Sequence, residues 1–449
     1  MSIVELADIR HCLEGAVPSI IATCDEAGVP NLSFVSQVHY LDTRHVALTF
    51  QFFNKTYSNI RENPQATVYV TDPETAAQYR LILMFRESQT EGPLFNALKA
   101  KLSGIAAHTG MSGVFRLRGV DIYQVIDIHC VVAGDATLAP ARHYHLAAVR
   151  EIFSVLSSCA DLAALFDSTL LSVCKHLGIG QAALLMLDER GDTLYTVASR
   201  GFTVSGVGAE VPLGYGIVGL CAAEKLPIRI AFGASEYSYR NAIVHFSRDA
   251  ESAGRLETAI PFPELSAPSS QLAVPICRDD RLLGVLYVES ETRRRFGYED
   301  EDALMLVAQH LAACHALLAC ADSQDVDADE SPQHGVSVQE GHPVRIRYFP
   351  ANHSVFLDND YLIKGVAGAI LWRILQQWQD DGREHFSNRE LRLDPHLGLP
   401  EISDNLEARL ILLQKRLVER HAPVRIEKTG RGRFALRLAR PVQLTCETE

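Results

Sequence analysis

Between residues 405 and 440 the chain carries ten Lys or Arg residues against three acidic ones. That is a surplus of seven positive charges inside a 449-residue chain with a formal net charge of −13. A local cationic stretch is what nucleic-acid phosphates require, and an acidic total does not exclude it. Leu406, Leu410, Leu413 and Leu417 recur there at helical spacing, which marks one buried face. Asn405, Arg409 and Arg416 lie off that stripe, and Lys415 adds a further cation. Residues 424–439 read as a β-hairpin with Gly430 and Gly432 at its turn, which carries Arg431 and Arg433 at the tip. The plainer alternative is a solvated basic face on a module that binds other proteins.

Other chemistries leave no mark. The chain has no GxSxG, no P-loop and no HExxH. Its ten cysteines are scattered without a CxxC, so they read as small buried hydrophobes of a cytoplasmic protein, with no metal site. Hydrophobic residues make up 47% and charged residues 22%, as in soluble globular proteins. The N-terminus has no basic region followed by an apolar core, and no stretch is expected to span a membrane.

Two stretches divide the chain. Residues 133–142 (AGDATLAPAR) are rich in Ala and Pro, and 321–342 hold six acidic residues, no Lys or Arg, and little to bury. The expectation is a multidomain α+β protein with units at 1–132, 143–320 and 343–445, and an acidic linker over 321–342.

The first unit reads as strands at 18–23, 32–40, 46–52, 66–71, 80–90 and 114–126, with two helices. One helix runs from Lys55 to Glu62 and stops before Asn63-Pro64. The order of parts over 33–70 resembles the pyridoxamine 5′-phosphate oxidase-like, FMN-binding split β-barrel. The resemblance implies that Lys55 and Thr56 at the helix start hold a flavin phosphate, and that Ser36, Gln37 and Gln51 face the ring or ribityl chain. It also implies a homodimer. Haem is the alternative cofactor in such barrels. The plainer reading leaves Lys55 as a solvated lysine and Gln51 as an edge-strand residue. The basic cluster and C-terminal segment of a true pyridoxamine phosphate oxidase have no counterpart, so that substrate is not expected.

The second unit opens with helical spacing over 145–176, broken near 159–161, and continues with strands at 182–188 and 194–199. Gly214, Gly216, Gly219 and Pro227, the runs Ala273-Val274-Pro275 and Gly284-Val285-Leu286, and acidic residues 299–302 at a helix start resemble a GAF domain, an α/β/α sandwich that senses small molecules. Its ligand is not named by any motif. His245, in a long excursion over 231–269, is a candidate haem ligand or a plain surface histidine. In the closing helix Leu304, Val307, Leu311, Cys314 and Leu318 form a stripe, either packed on the domain's own sheet or forming a dimer seam.

The third unit reads as two short strands, a helix over 366–378, a short helix capped by Ser387 with Glu390 three residues on, a helix over 403–420, and the hairpin. LLQKRLVER (412–420) and KTGRGRFALRL (428–438) resemble the winged helix–turn–helix domain of OmpR-type regulators, with Phe434 where Tyr is usual. That resemblance implies DNA as partner, with Asn405, Arg409 and Arg416 reaching base edges in a major groove, Lys415 among the DNA contacts, and Arg431 and Arg433 in the wing. The whole chain then reads as a one-component transcriptional regulator that senses a flavin or haem cofactor, redox state or small ligand. The alternatives are a flavin- or haem-dependent oxidoreductase with regulatory attachments, and a protein-binding scaffold.

Overall fold

A computed structural model describes residues 4–15, 17–35, 37–50, 55–108, 117–134, 145–188, 190–230, 260–266, 268–322, 342–397, 406–430 and 432–447. Ser36, Gln51, His245, Asn405, Arg431 and most of both expected linkers lie outside these residues.

The first unit begins with a short 3-10 turn at Arg10–Leu13, then β1 (Ser19–Cys24), β2 (Pro30–Val35), β3 (His39–Tyr40) and β4 (His45–Phe50). Helix α1 (Lys55–Glu62) leads to β5 (Gln65–Thr71) and β6 (Gln78–Gln89), and α2 (Pro93–His108) precedes β7 (Gly119–Val132). The sheet order is β2-β1-β5-β6-β7-β4-β3, with every pairing antiparallel. Three register shifts in the β6–β7 ladder supply the bends that curl the sheet. Alternating residues Val68 and Val70, and Leu81 and Leu83, fill the interior. In β4, Ala47 is buried as well as Val46 and Leu48, because Leu98 of α2 covers the outer face. The strand expected over 32–40 is interrupted between β2 and β3.

The second unit has two opening helices, α3 (Leu146–Ser157) and α4 (Leu162–Leu177). The break falls where Asp161 caps α4 by accepting the Ala164 amide at 2.8 Å. Strands β8 (Gln181–Leu187), β9 (Thr193–Arg200) and β10 (Glu210–Pro212) precede α5 (Gly216–Glu224). Then come β11 (Ile228–Ile230), β12 (Ser270–Arg278), β13 (Arg281–Ser290) and α6 (Tyr298–Asp322). The sheet order is β10-β9-β8-β13-β12-β11. Helices α3, α4 and α6 cover one face, and α5 covers the other. A side chain at Gly219 would put its Cβ 2.2 Å from the Pro212 carbonyl oxygen, so only glycine lets α5 start so close to β10. In α6, Leu304, Val307, Leu311 and Cys314 are buried in the domain's own core, which takes up the stripe that could have been a dimer seam. Contrary to expectation, residues Tyr298–Ala319 are long and apolar enough to cross a membrane by length and composition. Here the helix packs on β12, α3 and α4.

The C-terminal unit comprises β14 (Val344–Phe349), β15 (Ser354–Leu357), β16 (Asp360–Ile363), α7 (Gly365–Asp381), β17 (His385–Ser387), α8 (Asn388–Leu393), α9 (Leu406–Glu419), β18 (Val424–Gly430), β19 (Arg433–Leu438) and β20 (Val442–Cys446). Gly382, at φ +67°, ends α7 in a left-handed cap. Ser387 and Glu390 form the expected capping box. β17 joins the hairpin in the order β17-β19-β18, and β20 runs parallel to β14.

Candidate functional site

Two of the expected flavin contacts, Lys55 and Thr56, open α1. Lys55 is exposed there. The Thr56 hydroxyl accepts from Asn31 Nδ2 at 2.8 Å and meets Ser33 Oγ at 3.0 Å, which ties the helix start to β2. Gln37 lies half-buried just past β2. A cation and hydroxyls at a helix start are donors that fit a flavin phosphate. Sequence reasoning missed His39, whose buried ring has no partner for Nε2 among the described residues. Burial, aided by the charge of Lys101, lowers its pKa to about 3, so it stays neutral.

His11, Cys12 and Asp72 place one potential ligand atom each within 4.8 Å of one another. Asp72 already accepts from the Thr75 hydroxyl at 2.6 Å and the Glu74 amide at 2.9 Å. Burial, with the Asp72 charge, pushes the Cys12 thiol up to about 12. The cluster thus reads as a knot that holds the β5–β6 turn against the N-terminal segment.

The GAF unit holds a buried polar network on the α5 face. Glu289 is fully buried, and its carboxylate accepts from the Tyr287 hydroxyl at 2.5 Å, from Gln271 Nε2 at 3.3 Å and from the Leu265 amide. Gln271 also donates to the Tyr287 oxygen at 2.6 Å, and Phe262 lies against the Tyr287 ring. Burial outweighs these donors and raises the Glu289 pKa to about 7. The folded state therefore holds a proton that the unfolded chain releases near pH 4.5. This contribution to stability is complete below that pH and is lost as pH rises through about 7. Urea unfolding should show the GAF unit weakening between pH 5 and 8 by on the order of 3 kcal/mol, with the slope flattened in Glu289→Gln. A wild-type slope unchanged in the variant would assign the effect to another group.

In the C-terminal unit the structure corrects the expected orientation of α9. Arg409 and Arg416 are not solvent-facing: both are buried where α9 packs on the GAF unit. The Arg409 guanidinium lies 3.6 Å from the centroid of the Tyr195 ring on β9. Arg416 donates Nε to the Leu362 carbonyl at 3.2 Å and Nη1 to Glu419 at 3.1 Å. Lys415 pairs with Asp167 of α4 at 2.5 Å, and Lys428 of β18 pairs with Asp161 at 3.1 Å. Ser205 donates to Glu419 at 2.6 Å, and Lys364 pairs with Glu210 at 2.8 Å. The four predicted leucines are buried as expected, so α9 is enclosed on both its leucine and its arginine sides. Arg425, Arg433 and Arg437 are exposed on the hairpin, and Arg440 is exposed just past it.

A second seam joins the barrel to the GAF unit. Arg229 of β11 bonds Glu14 at 2.8 Å and Glu301 of α6 at 2.9 Å, with its guanidinium over Tyr298. Arg10 packs on the same ring, and Arg294 pairs with Glu74 at 2.8 Å. Helix α2 lies on α5 and β11. The GAF unit is thus the hub on which both neighbours dock.

Comparison with known proteins agrees with two of the three units. The family model described as pyridoxamine 5′-phosphate oxidase matches residues 6–125, and the GAF domain model matches residues 161–314. The chain thus carries an FMN-binding-type split barrel followed by a GAF domain. Among solved structures, the chain is similar to the GAF domain of a phosphoenolpyruvate-protein phosphotransferase from Coxiella burnetii (19% identity, 40% of this chain and 97% of that one, TM-score 0.30). It is also similar to an FMN-binding protein from Syntrophomonas wolfei (18% identity, 29% and 88%, TM-score 0.25). A third is the free methionine-R-sulfoxide reductase from Neisseria meningitidis (19% identity, 43% and 97%, TM-score 0.30). A search of curated proteins found no match. The two matched domains suggest a sensory role.

Proposed function

We propose that the chain is a cytoplasmic, one-component transcriptional regulator. Its C-terminal unit acts as a winged helix that binds DNA, and its barrel and GAF units sense a cofactor or small ligand. The observation that carries this reading is the C-terminal arrangement: a capping-boxed short helix, α8, then α9, then a hairpin with exposed Arg425, Arg433 and Arg437, with Arg440 exposed just past it. Such a hairpin beside a helix suits phosphate contacts. The triple change Arg425→Ala, Arg433→Ala and Arg440→Ala should weaken binding to a mixed-sequence duplex. It should also reduce the slope of log K against log salt by about one per lost phosphate contact. An unchanged slope would remove the hairpin from the DNA interface.

In this reading the structure is a docked state, because α9 buries Arg409 and Arg416 against the GAF unit. A ligand acts by binding the docked and released states unequally. FMN is the cofactor the barrel fits best. Lys55 and Thr56 would hold its phosphate and Gln37 would lie beside it; the flavin would supply redox sensitivity.

The same reading makes the protein a homodimer. Phe34, Ile20 and Tyr69 form a cross-strand row on β2, β1 and β5, and all are exposed, with Leu32 alongside. An apolar row on a sheet face is suited to a second copy of the chain. Leu32→Asp with Phe34→Asp should convert a dimer to a monomer in sedimentation experiments. A dimer that survives both changes would place the interface elsewhere.

A second reading, a flavin-dependent oxidoreductase, is favoured by the oxidase family match over 6–125. It predicts steady turnover of a reduced nicotinamide cofactor by the flavin-loaded chain.

A further inference from the structure

Hydrogen bonds alone do not satisfy the knot of His11, Cys12 and Asp72. Both contacts to the imidazole use one atom: His11 Nε2 lies 3.2 Å from Asp72 Oδ2 and 3.6 Å from Cys12 Sγ. A ring nitrogen either carries a proton or offers a lone pair. With the proton, it donates to Asp72 and leaves the Cys12 sulfur, a weak acceptor, against an N–H that is already used. With the lone pair, it accepts from the Cys12 thiol and faces the Asp72 carboxylate acceptor to acceptor. Asp72 offers no donor in exchange, because both its oxygens already accept, Oδ1 from the Glu74 amide at 2.9 Å and Oδ2 from the Thr75 hydroxyl at 2.6 Å.

A metal ion among the three groups removes the conflict, since each then presents a lone pair to it. The spacing suits Zn²⁺. A tetrahedral zinc with ordinary bond lengths sets S and N ligands about 3.6 Å apart and N and O ligands about 3.3 Å apart. The observed separations are 3.6 Å and 3.2 Å, and all three ligand atoms lie within 4.8 Å of one another. One thiolate, one imidazole and one carboxylate make a donor set that zinc, of intermediate softness, accepts. The bonds from Glu74 and Thr75 hold the carboxylate in place, as outer partners of metal ligands do. Cys12 is 2% exposed, whereas the His11 side chain is 45% exposed. The site therefore has a buried floor and an open side that admits the ion and a water.

We propose that His11, Cys12 and Asp72 bind one Zn²⁺ ion, with water as the fourth ligand. On binding, Cys12 releases its proton to solvent, and His11 carries its ring proton on Nδ1. The ion ties the turn at Arg10–Leu13 to the turn between β5 and β6. The first of these turns carries Arg10, 3.7 Å from the centroid of the Tyr298 ring, and leads into Glu14, which pairs with Arg229. Zinc thus braces the residues that dock the barrel on the GAF unit. The site depends on neither the flavin nor the DNA-binding reading. Its third ligand follows the first by 61 residues, so no local spacing discloses it.

The test is titration of the full-length chain, stripped by a chelator and kept under a phosphine reductant, with Co²⁺ and then with Zn²⁺. Cobalt reports a thiolate ligand by a charge-transfer absorption band. The expected result is one Co²⁺ per chain with that band, and loss of the band when Zn²⁺ displaces the cobalt. Cys12→Ser should abolish the band. His11→Gln, at a side chain open to solvent, should leave the circular dichroism of a folded chain and weaken uptake tenfold or more. A wild-type chain without the thiolate band overturns the proposal, and so does a band that either variant keeps at full strength and affinity.

Discussion

Asp167→Lys combined with Glu210→Lys should tighten DNA binding by about tenfold or more. Each change removes an ion pair across the seam, with Lys415 at 2.5 Å and with Lys364 at 2.8 Å, and sets like charges there. Exposed pairs contribute only about 0.2 to 1 kcal/mol each, and repulsion adds a similar amount. Together the two changes shift docking by roughly 2 kcal/mol, about thirtyfold, and the measured affinity follows the released fraction. Neither residue caps a helix or lines a core, so the units themselves should remain folded. Fluorescence anisotropy with a mixed-sequence duplex reads the affinity, and hydrogen exchange along α9 reads the release. Faster exchange with unchanged DNA affinity would show that the seam does not mask a DNA-binding face.

Lys55→Ala should cost the barrel about ten- to a hundredfold in flavin retention. Hydrogen bonds to charged groups are typically worth about 1.5 to 3 kcal/mol, and Lys55 is the exposed cation at the start of α1. Thr56 should act differently, because its hydroxyl also anchors Asn31 and Ser33. Thr56→Val would therefore loosen the β2–α1 junction as well as the phosphate. Flavin absorbance retained after dialysis separates the two effects when read beside thermal unfolding. A colourless wild-type chain that takes up no added FMN would rule out the flavin reading of the barrel.

What the sequence discloses and what it hides divide along local and distant interactions. The capping box at Ser387 and Glu390, the break before α4 at Asp161 and the leucine stripe of α9 depend on neighbours within a turn or two, and all are readable from spacing. Burial of Arg409 and Arg416 depends on Tyr195 and the 204–208 loop, about two hundred residues away, and no periodicity records it. Burial of Ala47 is likewise non-local, because it depends on the packing of α2 over β4. Strands β17 and β20 are three and five residues long, too short to alternate visibly, and exist through their partners β19 and β14. Glu289 gives no sign in the sequence: it ends an apolar run and becomes unusual only when Tyr287, Gln271 and Leu265 enclose it. Of the proposed flavin contacts, Gln37, Lys55 and Thr56 fall among the described residues, as do Arg409, Lys415, Arg416 and Arg433 of the proposed DNA contacts.

The most direct test of the central claim is duplex binding across a salt series, measured with the wild-type chain and with the Asp167→Lys, Glu210→Lys variant. The account predicts that the variant binds more tightly at low salt and that log K falls linearly with log salt for both. Absence of salt-dependent affinity in both proteins, even at low salt, would contradict it and leave the C-terminal unit as a protein-binding module.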